Sequence, residues 1–582
     1  MIDSNLPGTR RAFLGQALQL GAGSLLAAAA LEGCATPKSR PSRKNSPLIS
    51  QLPAAPARVF VEDKHKRLNR AAGTGQRFTA AQVEIKLNPM AGGTAVSVIC
   101  PTGELSRLVL RWENTFPADT LLLGDQWERS YGDLQWRFLQ PERIMPWYFA
   151  AHHLGSGHTF MAGVKTQPST LCFWTVDAAG ISLWLDFRNG GSPCRPGHRE
   201  IAAATIVSLG ASAAETPLLA LTRFCRVMCP APRLPARPVA GNNNWYYTYG
   251  HNVDADATRR DAVLLAELAA GHPNRPYCVI DGGWTPGSAG PGGPWLQGDP
   301  KRFPDMPGLA ADINKIGVRP GIWMRPTALT TVDNPARLRA GPCSTTEKPL
   351  DLTLPDNLTL IHNDVSRIRS WGYDLIKHDF STCDIFGRWG FDMGAELTDP
   401  GWHFADQTLT NAEIILRLYR TLRSAAGDAV LLGCNTMGHL GAGLFELQRT
   451  GDDVSGHIWE RTRRMGVNTL AFRLPQNGTF FTCDADCAAH TASTPWEFDR
   501  QYLDLVARSG TALFISVDPR TLQPEQKTAF QAALQTALSG GTPGGSAPLD
   551  WLYTTSPEEW RLGTDQITCH WEEPTGALPL RV

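Results

Sequence analysis

Between about residue 242 and residue 519 the chain repeats one unit eight times. Each is a short apolar run, several closing on a polar or acidic residue, and most are followed by an amphipathic stretch with helical spacing. The runs are 242–249, 277–284, 319–326, 373–380, 429–436, 445–453, 480–486 and 510–519. Apolar periodicity of helical type fills the gaps at 254–271, 306–317, 360–372, 411–427, 458–466 and 498–510, with Gly closing each segment as a C-cap would. Eight strand–helix units in series predict a (β/α)8 barrel, or TIM barrel, whose chemistry belongs at the C-terminal ends of its strands. In this sequence those ends carry Asp281, Asp379, Asp453, Asp484 and Asp486.

The chain before the barrel has another texture. From about 57 to 235 it is a series of short segments rich in β-branched and aromatic residues, punctuated by Gly, Pro, Asn and Asp. That is the pattern of an antiparallel β-sandwich. A Pro-rich stretch at 230–241 marks the boundary. The expected architecture is multidomain α/β: an N-terminal β-sandwich (57–235), a catalytic (β/α)8 barrel (240–540), and a short C-terminal β segment (549–582).

The first residues read as an export signal. Thr9-Arg10-Arg11-Ala12-Phe13-Leu14 is a twin-arginine signature, and the apolar run from Ala17 to Leu31 is too short to span a bilayer. Leu31-Glu32-Gly33-Cys34 resembles a lipobox, so residues 1–34 form the signal and Cys34 is a candidate lipid anchor. Residues 35–56, rich in Pro, Ser and basic side chains, read as a tether. The expected location is the periplasm, free or held at the membrane by lipid. Lys+Arg and Asp+Glu both number 55, so no global field points to nucleic acid or an anionic membrane. The 13 Cys residues include no C-x-x-C pair, which argues against a zinc site and leaves disulfides unassigned. Cys483 and Cys487 flank one acidic strand end and Cys383 follows another, as a disulfide brace or as buried thiols.

Two carboxylates facing one cleft are the minimum equipment for glycoside hydrolysis, one attacking the anomeric carbon and one protonating the leaving oxygen. Asp379 and Asp453 end the fourth and sixth runs. Lys377, two residues before Asp379 and on the same strand face, is the cation expected to keep that carboxyl ionised. The acid has to hold a proton near neutral pH, which calls for partial burial or a neighbouring negative charge such as Asp452. Capping of the next helix accounts for any one strand-end Asp. It does not account for the set.

Ile280-Asp281-Gly282-Gly283-Trp284, Lys377-x-Asp379, Arg449-x-x-x-Asp453 and Asp484-x-Asp486 fall in the order seen in the α-galactosidases of glycoside hydrolase families 27 and 36. Asn243-Asn244-Trp245 resembles the Asn-Ser-Trp that opens their barrels, and the β-sandwich ahead of the barrel is more like family 36. The resemblance covers about residues 240 to 520. It implies a retaining α-glycosidase without cofactor, acting on oligosaccharides or polysaccharides, with Asp379 as nucleophile and Asp453 as acid/base. It further implies that Asp281, Lys377 and Arg449 bind glycone hydroxyls, that Trp284 and Trp323 supply apolar walls, and that Asp484 and Asp486 shape the site.

Departures from the family pattern fall at recognition positions. Gly282 stands where relatives often carry a second acid, Arg325 where family 36 tends to have an acid, and Cys434-Asn435 where Cys and an acid are often found. They keep the hydrolytic pair and leave the glycone open, with Arg325 hinting at an acidic sugar or pairing with Asp281 or Asp379. A related clan glycosidase, a transglycosylase and a sugar-binding protein without catalysis remain as alternatives, and the oligomeric state is left open. A metal-dependent hydrolase would need His ligands at strand ends, and His378 faces away from the pocket.

Overall fold

In the N-terminal domain the strand period is two. Val83–Met90 turns Val83, Ile85 and Leu87 inward and Glu84 and Asn88 outward, and Gly93–Cys100 buries Thr94, Val96, Val98 and Cys100 in the same way. The structure, a computed structural model, describes residues 48–572 apart from 64, 252, 287–291 and 344. The twin-arginine segment, Cys34 and the tether as far as residue 47 lie outside the described residues.

Two antiparallel sheets, of six and nine strands, make the sandwich. They meet through aromatic side chains: Phe149 of the larger sheet lies 5.6 Å, ring to ring, from Trp174 of the smaller. A helix at Pro217–Met228, absent from the sequence reading, starts where the Thr216 hydroxyl accepts from Leu219 N and Pro217 takes the first helical position.

Eight parallel strands close the barrel: β1 (Ala240–Asn243), β2 (Tyr277–Ile280), β3 (Arg319–Met324), β4 (Leu375–His378), β5 (Val430–Gly433), β6 (Leu447–Arg449), β7 (Thr482–His490) and β8 (Ala512–Val517). β8 pairs with β1 through Ala240 and Leu513. Every residue of β2, β4 and β5 is buried, as expected of parallel strands covered on both faces. The intervening helices start on the expected caps. Asp254 and Asp305 accept from backbone N–H groups three residues on, and Thr410 with Glu413 forms a capping box. Beyond the barrel, Ser546–Pro548, Glu559–Leu562 and Asp565–Thr568 form a three-stranded antiparallel sheet.

Two units differ from the sequence reading. The first strand stops at Asn243, and Trp245–Thr248 is a short helix, because the Asn243 side chain accepts from Trp245 N (2.9 Å) and turns the chain. The sixth helix does not end at Gly466. It runs on through a π-helical turn, Arg463–Asn468, and Gly466 is needed there because a Cβ would lie 2.4 Å from the Tyr502 hydroxyl oxygen. Cys483 and Cys487 are buried thiols that do not form a disulfide, and Cys383 is buried as well.

Candidate active site

Asp379 directly follows β4. Its Oδ1 accepts from Phe380 N (2.8 Å) and Asn435 N (3.1 Å), and its Oδ2 accepts from the indole Nε1 of Trp323 on β3 (3.0 Å). Phe380, the next residue, has φ 65°, a left-handed conformation rare for an aromatic residue. Such strain concentrates where a turn has to aim one side chain. Burial pushes the Asp379 carboxyl up, but Arg129 and Lys377 outweigh it and hold the group below its ordinary range. The carboxylate is fixed, ionised and has a lone pair to spare on Oδ2.

Asp453 follows β6 by four residues and its side chain is 37% exposed, against 8% for Asp379 as a whole residue. Its Oδ1 accepts from Arg449 Nη2 (3.4 Å) and from Arg129 Nη1 (3.3 Å). The adjacent Asp452 is tied on both oxygens, to Arg129 Nη2 and to Arg461 Nη2, each at 2.7 Å. Of the two neighbouring acids, Asp453 therefore has the freer carboxyl. Burial raises its proton affinity, but Arg129, Arg449, Lys377 and Arg461 together drive it well below the carboxylate range. The expectation that burial or Asp452 leaves a proton on this group is not met, because the four cations outweigh burial.

The remaining charges form two hydrogen-bonded sets at the floor of the mouth. Lys377 Nζ donates to Asp281 Oδ2 (2.7 Å), which also accepts from Asn243 Nδ2 (2.6 Å). Arg449 Nη2 donates to Asp486 Oδ2 (2.5 Å), an oxygen shared with Val454 N (3.0 Å) and the Tyr246 hydroxyl. Asp486 has φ 72° and sits at a register break in the β7–β8 pairing, a bulge that re-aims it across the barrel. Asp484 lies beneath, lining a small interior cavity with Lys377, Arg449 and Asn243, and burial pushes its carboxyl up to about 6.

Three of the side chains expected to meet the sugar are engaged within the protein. Trp284 is fully buried behind Trp323, to whose carbonyl its indole donates (2.9 Å), so it backs a wall and does not form one. Arg325 pairs with neither Asp281 nor Asp379. Its guanidinium is consumed by Asp384 (2.6 Å) and Glu347 (3.0 Å) over the Phe380 ring, so it offers no charge to an acidic sugar. The Asn435 amide is committed to Glu128 and to Cys383 N (3.0 Å), leaving its backbone N–H to position Asp379.

Glu128 and Arg129 are the functional-site residues that sequence reasoning missed. They belong to the sandwich, in the segment between strands Thr120–Gly124 and Arg137–Phe138, and enter the barrel mouth from there. Ser130 N donates to Thr450 O (2.9 Å) and Asp452 N to Ser130 O (2.8 Å), which docks the segment on β6. Burial pushes Glu128 up to about 7 against the pull of Arg129, Tyr131 and Gly390 N–H. In the sequence they stand in the polar run Glu128-Arg129-Ser130-Tyr131, which no periodicity sets apart from the other polar stretches of the sandwich.

No protein-family model and no curated protein sequence matches the chain. Solved structures do share its architecture. TtGalA, an α-galactosidase from Thermus thermophilus seen with p-nitrophenyl α-D-galactopyranoside, is 20% identical with a TM-score of 0.57, over 85% of this chain and 99% of that one. A variant of AgaA, a family 36 α-galactosidase from Geobacillus stearothermophilus seen with 1-deoxygalactonojirimycin, is 13% identical at 0.54, over 89% and 80%. An α-galactosidase from Lactobacillus brevis is 14% identical at 0.54, over 84% and 69%. The chain thus has the fold of these enzymes, a (β/α)8 barrel behind an N-terminal β domain.

Proposed function

We propose that the protein is an exported retaining α-glycosidase of α-galactosidase type, acting on terminal α-linked sugars of oligosaccharides or polysaccharides without a cofactor. The observation that carries this reading is a barrel mouth common to Asp379 and Asp453: Arg129 Nη1 lies 3.3 Å from Asp453 Oδ1 and 3.5 Å from Cys434 Sγ, and the next residue, Asn435, donates its N–H to Asp379 Oδ1 (3.1 Å). The shared fold supports it, and so do TtGalA and AgaA variants seen with stachyose and raffinose.

In the first step Asp379 Oδ2 attacks the anomeric carbon as the glycosidic C–O bond breaks, and Asp453, which has to take up a proton from solvent as the sugar binds, passes it to the leaving oxygen, releasing an alcohol. In the second, water attacks the same carbon and gives its proton to the Asp453 carboxylate, and the bond to Asp379 breaks. Trp323 and two backbone N–H groups hold Asp379 in line for both steps. Asp452 is unsuited to the acid role because two guanidiniums already occupy its oxygens.

The test is Asp379→Asn assayed on a panel of aryl α-glycosides. The amide is near-isosteric and keeps its acceptor oxygen, so the fold should survive while turnover falls by about 10⁴-fold or more. Wild-type turnover in that variant on the best substrate of the panel removes the reading.

A further inference from the structure

The contacts of Arg129 are unequal. Its Nη2 lies 2.7 Å from Asp452 Oδ1, its Nη1 lies 3.3 Å from Asp453 Oδ1 and 3.5 Å from Cys434 Sγ, and its Nε is buried without a hydrogen-bond partner. The guanidinium is bracketed by the rings of Tyr131 and Trp389, 5.9 and 6.0 Å from its carbon. Asp452 is itself held by Arg461. We infer that Arg129 is a positioning residue for Asp453: rooted on Asp452, it holds the Asp453 carboxyl and has to release it to the leaving group when a glycoside enters. The inference rests on the acid/base reading of Asp453 given above.

The groups around Asp453 single out this contact. Arg129, Glu128 and Tyr131 come from the sandwich, Arg449 from β6, Asp452 and Arg461 from the segment after it, Lys377 and Asp379 from β4, Cys434 from β5, Asp486 from β7, and Tyr246 from the helix after β1. Three other cations act on Asp453, and each is committed elsewhere: Arg449 to Asp486 at 2.5 Å, Lys377 to Asp281 at 2.7 Å, Arg461 to Asp452 at 2.7 Å. Arg129 and Arg449 both touch Asp453 through a long bond while anchored by a short one, and each keeps a buried Nε without a partner, but Arg449 makes both contacts through Nη2 whereas Arg129 anchors through Nη2 and reaches Asp453 through Nη1. A rotation about the Asp452 anchor exchanges Asp453 for a substrate oxygen at no loss of the strong pair. The sandwich domain thereby controls a step that takes place on the barrel.

The sign of the effect follows. A guanidinium beside a carboxylate favours its ionised form, so removing Arg129 raises the proton affinity of Asp453. A general acid works below its own pKa, so the alkaline limb of the kcat/KM profile moves to higher pH. Removing Asp452 has the opposite sign, because Arg129 loses its anchor and falls wholly on Asp453.

The experiment follows the Asp453 carboxyl by 13C NMR in the full chain, assigned by its loss in Asp453→Asn, alongside pH–rate profiles on an aryl α-glycoside. In Arg129→Gln the carboxyl titrates at higher pH than in wild type, the alkaline limb moves the same way, and kcat/KM at the optimum falls about tenfold or more as positioning is lost. Arg129→Lys keeps the charge and restores most of the wild-type titration. Asp452→Asn, the variant to use if Arg129→Gln fails to fold, titrates at lower pH. An Asp453 titration unmoved in a folded Arg129→Gln, or in Asp452→Asn, overturns the inference. A wild-type protein that cleaves no α-glycoside overturns the functional reading instead, and the NMR titration still decides the role of Arg129.

Discussion

The two sides of the barrel mouth hold their carboxylates in contrasting ways. On the β4 side, Asp379 rests on two backbone N–H groups and an indole, all from the barrel and all neutral. On the β6 side, Asp453 rests between two guanidiniums, one of them delivered from 324 residues away by the sandwich. Neutral backbone donors cannot change their charge or leave. They suit a group that has to stay ionised and in one place, as a nucleophile does. Cationic side chains set proton affinity strongly and can change partners, which suits a group that gains and gives up a proton in each turnover.

This contrast can be broken at either side. The largest effect beyond loss of Asp379 itself is expected from Asp453→Ala. It should lower kcat/KM by about 10²–10⁴-fold on substrates with poor leaving groups and much less on activated aryl glycosides, whose first step needs no protonation. Added azide should restore turnover and yield the α-glycosyl azide, since the small anion replaces water in the second step. The same loss for both kinds of leaving group, or no azide product, places the acid elsewhere. A smaller effect is expected on the β4 side. Trp323→Phe removes one donor to a charged oxygen, worth about 1.5–3 kcal/mol, so kcat should fall about ten- to a hundredfold. The alkaline limb of its pH profile should stay put, because no charge has changed. A displaced limb in Trp323→Phe erases the distinction between the two sides.

How much of this was legible in the sequence follows the same division. The β4 side is local: Trp323, Lys377, Asp379 and Asn435 all lie at strand ends that the apolar beat marks out. The barrel, its eight strands and the floor of Asp281, Arg449 and Asp486 were readable for that reason. The β6 side was half visible. Arg449 and Asp453 share a strand end, but Glu128 and Arg129 arrive through a long-range contact that no periodicity encodes. Chemistry misled the reading where a side chain finds partners inside the protein. Arg325 looked like a recognition residue because its type is unusual at that position, yet Asp384 and Glu347 neutralise it, and neither stands at a strand end. Trp284 was expected as a wall because the family resemblance implies one there, yet Gly283 at φ 106° turns the chain and the ring is buried in the core. The first strand was overextended because Trp and Tyr favour strands, and one Asn side chain ended it.

The central claim is that Asp379 bonds covalently to sugar during turnover. A 5-fluoro-α-galactosyl fluoride, or the equivalent for the glycone the panel selects, slows the second step more than it slows the first and so accumulates the intermediate. Peptide mass spectrometry of the trapped protein should find one glycosyl group, on the carboxyl of Asp379, released when the protein is left to turn over. A label on another residue, or rapid turnover with inversion at the anomeric carbon, contradicts the account.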